Sequence, residues 1–158
     1  MNATWEYLRY ILAHKWNFIK ANRIGRFRLG LRVLLHDLSK FSPAEFRAYR
    51  DKFYGPEGLQ KTPEVRQKFD LAWAHHIQHN PHHWEHWCLV SNVSGCQPLP
   101  MPDMRVREML CDWLAMSKGN LLNMKLWYKK NGYRFQMHPH TRTLVEDWFG
   151  ITYDREAE

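Results

Sequence analysis

Between Pro63 and Asn80 the apolar residues and the histidines share one stripe. Val65, Phe69, Ala72, His76 and His79 follow one another at spacings of four, three, four and three, the period at which side chains occupy one face of an α-helix. The face that this helix turns to a core therefore carries imidazoles, and the fold has to satisfy them there. His75 falls on the flank beside Leu71. Ten histidines occur in 158 residues, and six of them lie between residues 75 and 86. That density is too high for chance surface residues and directs attention to a metal.

The rest of the chain reads as helices of similar style. Residues 3 to 22 repeat Trp5, Leu8, Leu12, Phe18 and Ile19 at near-helical spacing, with His14 between Ile11 and Phe18. Residues Asn22 to Gly25 break that helix, and a second runs from about Phe27 to Asp37. Ser42-Pro43-Ala44-Glu45 has the form of a capping box with proline at the first helical position, so a third helix starts there and ends before Gly55. Thr62-Pro63-Glu64 opens the fourth, which stops near Asn80 because Pro81 disfavours helical geometry in the residue before it. His82 to Trp87 forms a short helix or turn, and residues 89 to 101, with Gly95, Pro98 and Pro100, read as a surface loop in the position of a lid. Helices over about Asp103–Ser117, Leu121–Lys130 and Thr141–Phe149 follow, the last closed by Gly150. No strand-like alternation longer than a few residues appears. The expectation is an all-α, compact single-domain bundle of about six or seven helices over residues 1–153, with a frayed acidic tail at 154–158.

Composition sets limits on partners. Apolar residues make up 44% and aromatics 15%, which excludes a disordered chain. The formal charge of +7 suits a small anionic substrate, or nucleic acid, although no basic run dominates. Cys88, Cys96 and Cys111 are odd in number and lack CxxC spacing, which points to a reducing compartment and a cytoplasmic location. No apolar run approaches the roughly 20 residues of a membrane span.

The chemistry-bearing candidates are His14, the pair His36-Asp37, the 75–86 cluster and Asp112. Each lies on a different element. A histidine next to an aspartate offers a nitrogen and an oxygen ligand from one point of the backbone, and both reach one site only near a helix end. Asp112 stands among Leu110, Trp113 and Leu114, where a carboxylate is costly to bury unless paired or metal-bound.

A histidine, then His-Asp, then a distant Asp on successive helices resembles the HD-domain superfamily of metal-dependent phosphohydrolases, over roughly residues 5 to 120. The resemblance implies His14, His36, Asp37 and Asp112 as basic metal ligands. Further histidines, His76 with His82 or His83, would hold a second ion as in the multi-histidine branches, the HD-GYP phosphodiesterases and the mixed-valent di-iron oxygenases. The Gly-Tyr-Pro signature of the former is absent after His82-His83-Trp84-Glu85. The whole chain, with His-Asp-Leu-Ser-Lys-Phe-Ser-Pro and His-Asn-Pro-His-His-Trp-Glu-His-Trp, is similar to a small group of HD-like proteins, the DUF5662 type.

The implied cofactor is one or two divalent transition-metal ions such as manganese, iron, cobalt or zinc. Metal lowers the pKa of bound water and so supplies a nucleophile for phosphorus. Lys40, three residues after Asp37, would neutralise a phosphoryl oxygen, and Glu85 or His79 would donate the leaving-group proton. The leading expectation is a hydrolase of a nucleotide or related small phosphate. The alternatives are a di-iron oxygenase on the same scaffold and a metal-stabilised nucleic-acid-binding module, for which Trp127 to Arg134 interleaves basic and aromatic residues. His138 and His140 read as surface or capping histidines.

Overall fold

The computed structural model describes residues 2–92 and 95–151. The expected acidic tail at 154–158 lies outside the described residues. Among those residues the chain forms eight α-helices, three 3-10 turns and one small hairpin, so the all-α reading holds. The first helix, α1 (Ala3–Ile24), is capped by Asn2, whose side chain accepts from the Thr4 amide at 3.0 Å. It is followed by the short α2 (Arg32–Leu35) and a 3-10 turn at Leu38–Phe41. Then come α3 (Pro43–Tyr54), the short α4 (Glu57–Gln60) and α5 (Pro63–His79), with Thr62 capping α5 through the Val65 amide. Beyond a 3-10 turn at Trp84–Trp87, strands β1 (Cys88–Ser91) and β2 (Gly95–Pro98) pair antiparallel with Cys88 opposite Pro98. Three helices close the fold: α6 (Asp103–Met116), α7 (Leu121–Asn131) and α8 (Pro139–Phe149). His138 caps α8 by accepting from the His140 amide.

Three sequence expectations need correction. The buried stripe of α1 is Tyr7, Ile11, His14, Phe18 and Ala21, whereas Trp5 and Leu12 are exposed. Large apolar side chains stand on both sides of that helix, and the tyrosine at position 7 takes the inward row. The second helix shrinks to four residues because Arg26, Arg28 and Gly30 adopt positive φ. Phe27 and Leu29, between them, are both buried in the core. Cys88–Ser91 and Gly95–Pro98 pair as a hairpin, and none of its described residues lines either of the two large cavities described below, which leaves the lid expectation without support.

Two apolar clusters flank the site. The larger gathers Phe18, Leu110, Leu114, Met124, Tyr128 and Val145 around α6. The smaller packs Tyr7 and Ile11 of α1 against Ala48 and Tyr49 of α3 and Ala72 of α5. His14 sits on α1 between Ile11 of one cluster and Phe18 of the other. The seam between the clusters is where the polar residues collect.

Candidate metal centre

His36 and Asp37 reach one point because the helix before them stops. After Leu35 the backbone turns extended at His36 (φ −53°, ψ 128°) and left-handed at Asp37 (φ 55°), a region that aspartate tolerates better than most residues. Lys15 of α1 fixes this corner by donating to the carbonyls of Leu34 at 2.9 Å and His36 at 2.8 Å. The Phe18 ring stacks on the His36 ring at 3.7 Å. Both polar side chains are buried, to 2% and 1% exposure.

Asp37 then faces two sets of donors, one on each oxygen. Its Oδ2 lies 3.6 Å from His14 Nε2 and 3.5 Å from His36 Nε2, and Asp112 Oδ1 is 3.0 and 3.5 Å from those same nitrogens. Its Oδ1 lies 3.5 Å from His76 Nε2 and 3.6 Å from His82 Nε2, and His83 Nε2 is 3.0 Å from His76 Nε2. A transition metal bonded at about 2.1 Å sets neighbouring donors about 3.0–3.4 Å apart, and both sets lie within or slightly beyond that spacing. Donor atoms of Asp37, His76, His82 and His83 lie within 4.8 Å of one another, as do those of His14, His36 and Asp37.

The fit to a cation is also visible in what lacks a partner. Asp37 Oδ1, Asp112 Oδ1 and His82 Nε2 are buried and make no hydrogen bond. Folded chains seldom leave such atoms unsatisfied, and with Asp112 Oδ1 in the first set and Asp37 Oδ1 and His82 Nε2 in the second, each set calls for a positive ion. All seven residues named as ligands from the sequence thus meet here, from α1, the corner after α2, α5, the loop at 82–83, and α6.

Two carboxylates that were not among the site candidates stand behind the histidines. Glu45 of α3 is wholly buried and accepts from Nδ1 of both His75 and His76 at 2.8 Å. An ionised carboxylate only accepts, so the His76 proton sits on Nδ1 and the Nε2 lone pair faces Asp37. Glu108 of α6 has Oε1 at 3.6 Å from His36 Nδ1 and 3.7 Å from His82 Nδ1, and its other oxygen accepts from Arg105 at 2.7 Å. The capping-box assignment of Glu45 does not hold, since Ser42 makes no side-chain cap and the glutamate turns to the histidines. Glu108 was legible in principle: it lies one turn before Asp112, on the same face of an apolar helix.

The remaining candidates divide. Lys40 Nζ lies 2.5 Å from Asp37 Oδ2, at the edge of the first donor set. Glu85 lines the same cavity as His82, His83 and Asp112. His79 is exposed, bonded to the His75 carbonyl at 2.8 Å and stacked on the His75 ring, and it lines neither cavity. The inward stripe of α5 passes from His76 to the buried Asn80 instead, which donates to Ser39 Oγ at 2.6 Å. A proton-donor role for His79 loses its geometric basis.

Electrostatics sharpen the picture. Burial alone would raise the carboxyls of Asp37 and Asp112. The His36 and Lys40 charges hold Asp37 well below the usual range, and the imidazoles set against Asp112 Oδ1, those of His14 and His36, hold Asp112 there. Burial alone would lower His36, but Asp37 outweighs it and lifts that imidazole to about 9. Burial and then His76 push His83 down to about 4, and burial and then His36 push His82 well down. Two ligand histidines are therefore neutral and ready, and one holds a proton that an ion has to displace.

Residues 3–151 match the family described as a family of unknown function (DUF5662). The chain belongs to that family. No curated protein and no solved structure matches it, and none of these comparisons links this DUF5662 protein to the HD-domain superfamily.

Two cavities meet at the centre. One, of about 560 Å3, is walled by Trp84, Trp113, Trp127 and Phe135 and carries Glu85 and Asn123. The other, of about 570 Å3, lies on the side of α1 and α3 and holds Lys40 with several tyrosines. Trp73, His83, Asp112 and Met116 line both. Among the described residues no helix is long and apolar enough to cross a membrane.

Proposed function

We propose that this DUF5662 protein is a metal-dependent phosphohydrolase of a nucleotide or a related small phosphate, in which Asp37 would offer one oxygen to each of two ions. The observation that carries the reading is the pair of donor sets on the two oxygens of one buried aspartate, open to cavities large enough for a small molecule. The order of His14, His36, Asp37 and Asp112 along the helices is what makes the HD-domain likeness attractive. His14, His36, Asp37 and Asp112 would hold one ion, and Asp37, His76, His82 and His83 the other. Such ions, when bound, activate water for attack on phosphorus and stabilise the leaving oxygen.

The chain's own groups supply the rest. Lys40 brings a positive charge to the side of Asp37 and can neutralise a phosphoryl oxygen. Burial raises the Glu85 carboxyl above its ordinary value, which suits it to give a proton to the leaving group within the tryptophan-lined cavity. Glu45 holds the His76 ring in one tautomer, and Glu108 sets a negative charge behind His36 and His82. Three unpaired cysteines accord with a cytoplasmic setting.

A di-iron oxygenase is the second reading. It is favoured by a donor set of five imidazoles and two carboxylates beside a largely apolar, aromatic cavity. Nucleic-acid binding has less behind it, because Tyr128 is in the core and Trp127 packs one side on Trp113, leaving Tyr133 and part of Trp127 exposed from that stretch. The deciding experiment is metal analysis of protein purified without chelators, followed by a nucleotide and phosphoester panel in air and under anaerobic conditions. Hydrolysis should be equal in both. Silence across the panel together with substrate-dependent oxygen uptake would replace the hydrolase by the oxygenase.

A further inference from the structure

The cavity beside α1 and α3 has a chemistry that metal binding leaves unexplained. Its wall carries four phenols, Tyr7, Tyr10, Tyr49 and Tyr54, and Lys40 brings the ammonium group to it, beside His76, His83 and Asp112 on the side of the candidate metal centre. Tyr7 and Tyr49 are among the most buried tyrosines, at 1% and 7% exposure, and neither hydroxyl has a hydrogen-bond partner. A buried hydroxyl without a partner is destabilising, and two of them along one cavity call for a ligand that accepts from both. Lys40 and both phenols line the one cavity, and the charges of Glu45 and Asp37 reach the phenols as well as that of Lys40. Burial keeps both phenols protonated, hence able to donate. The cavity reaches the candidate metal centre through His76, His83 and Asp112.

Lys40 and the two tyrosines line the cavity, and their ammonium and hydroxyl groups together carry a single positive charge. That inventory suits a compact oxyanion placed beside the ions rather than a polyphosphate chain, which would need several cations. We propose that this cavity is the subsite for the reacting phosphoryl group, with the Tyr7 and Tyr49 hydroxyls donating to its oxygens alongside Lys40. The phosphoryl identity rests on the hydrolase reading; the placement of an oxyanion rests on the phenols.

Inorganic phosphate is the probe. It is titrated by calorimetry into manganese-loaded wild-type protein and into Tyr7→Phe, Tyr49→Phe and the double variant. Each single change should weaken phosphate binding about 10-fold, the loss of one charge-assisted hydrogen bond, with manganese content unchanged. Without phosphate the phenylalanine variants should melt no lower than wild type, because they remove hydroxyls that have no partner. Phosphate should raise the melting temperature of wild type and not that of the double variant. The subsite is refuted if wild-type protein binds no phosphate, or if the double variant binds it as tightly as wild type. It is equally refuted if the variants melt lower without ligand, which would make the hydroxyls structural. A silent phosphoester panel with tyrosine-dependent phosphate binding intact would instead remove the hydrolase reading and leave the subsite standing.

Discussion

Replacing Glu45 by glutamine separates two roles for one residue. In a capping box, glutamine serves as well as glutamate, and the substitution should do nothing. In the structure the carboxylate is wholly buried and accepts from Nδ1 of His75 and of His76, each at 2.8 Å. An amide has one accepting oxygen and one NH2 group. One of the two imidazoles must therefore face a donor, which either breaks its bond or moves its proton to Nε2, the nitrogen of His76 that faces Asp37. Losing a carboxylate behind a ligating histidine weakens metal binding about 10- to 100-fold, or about 1.4–2.7 kcal/mol. The assay is a competition titration of manganese or zinc against a chromophoric chelator, with circular dichroism to show that the helices persist. The weakening should fall on the ion shared by Asp37, His76, His82 and His83. The glutamate also sets an acid limit. Burial alone would raise its pKa, but the bonds from His76 and His75 bring it below 4.5, so its stabilisation is present above 4.5 and is lost as the pH falls through the lower folded value. Glu45→Gln should remove that part of the acid sensitivity. Metal affinity equal to wild type would refute the orienting role and restore the capping one.

Three further outcomes can be measured with the same protein. Asp37→Asn should abolish binding of both ions, because each oxygen serves a different donor set, whereas Asp112→Asn should lower the metal-to-protein ratio by about half; equal losses in the two would show that the sets are not separate. Metal uptake should depend on pH in two stages. His83, near 4, and His82 are neutral at pH 6, so their set fills there. His36, at about 9, stabilises the metal-free fold by its proton below 6.5 and loses that contribution as the pH rises through 9, so the first set should gain affinity about 10-fold per pH unit on the way, read by metal titrations from pH 6 to 9. Lys40→Met should leave ion binding at the first set equal or stronger, since it removes a cation 2.5 Å from Asp37 Oδ2, while phosphoester turnover falls. Loss of metal in that variant would mean that Lys40 supports the centre instead of competing for it.

The helical fold was legible because its punctuation is chemical. Pro43, Pro63 and Gly150 stand where α3, α5 and α8 begin or end, and the polar residues that proved to converge were those stranded on apolar faces: His14, His76 and Asp112. What misled was periodicity without a partner. Trp5 and Leu12 satisfy a helical repeat as well as Tyr7 and Ile11 do, and only α3 and α6 packing on α1 decides which row is inside. His79 continues the stripe of α5 numerically, but the helix reaches its last turn there and Asn80 closes the inward row. Glu45 was hidden by a local motif that explained it too well. The left-handed residues Arg26 and Arg28 carry no local mark, since arginine is ordinary in helices, and Gly30 alone marked the stretch where the second helix is lost.

The charge count ties folding to the ion. Asp37, Asp112, Glu45 and Glu108 bring four negative charges to the seam between the two apolar clusters, against Lys40 and Arg105. With neutral imidazoles that leaves two uncompensated negative charges in a low-dielectric region, a state that an isolated protein relieves by protonating a histidine, and His36 is the one lifted to do so. A divalent ion does the same with more charge and takes up the buried acceptors that otherwise lack partners. Chelation should therefore lower the melting temperature more at pH 8 than at pH 6, because proton compensation through His36 fades as the pH approaches 9 while the ion's does not. A pH-independent effect of chelator on melting would mean that the protons and the ion do not share this seam.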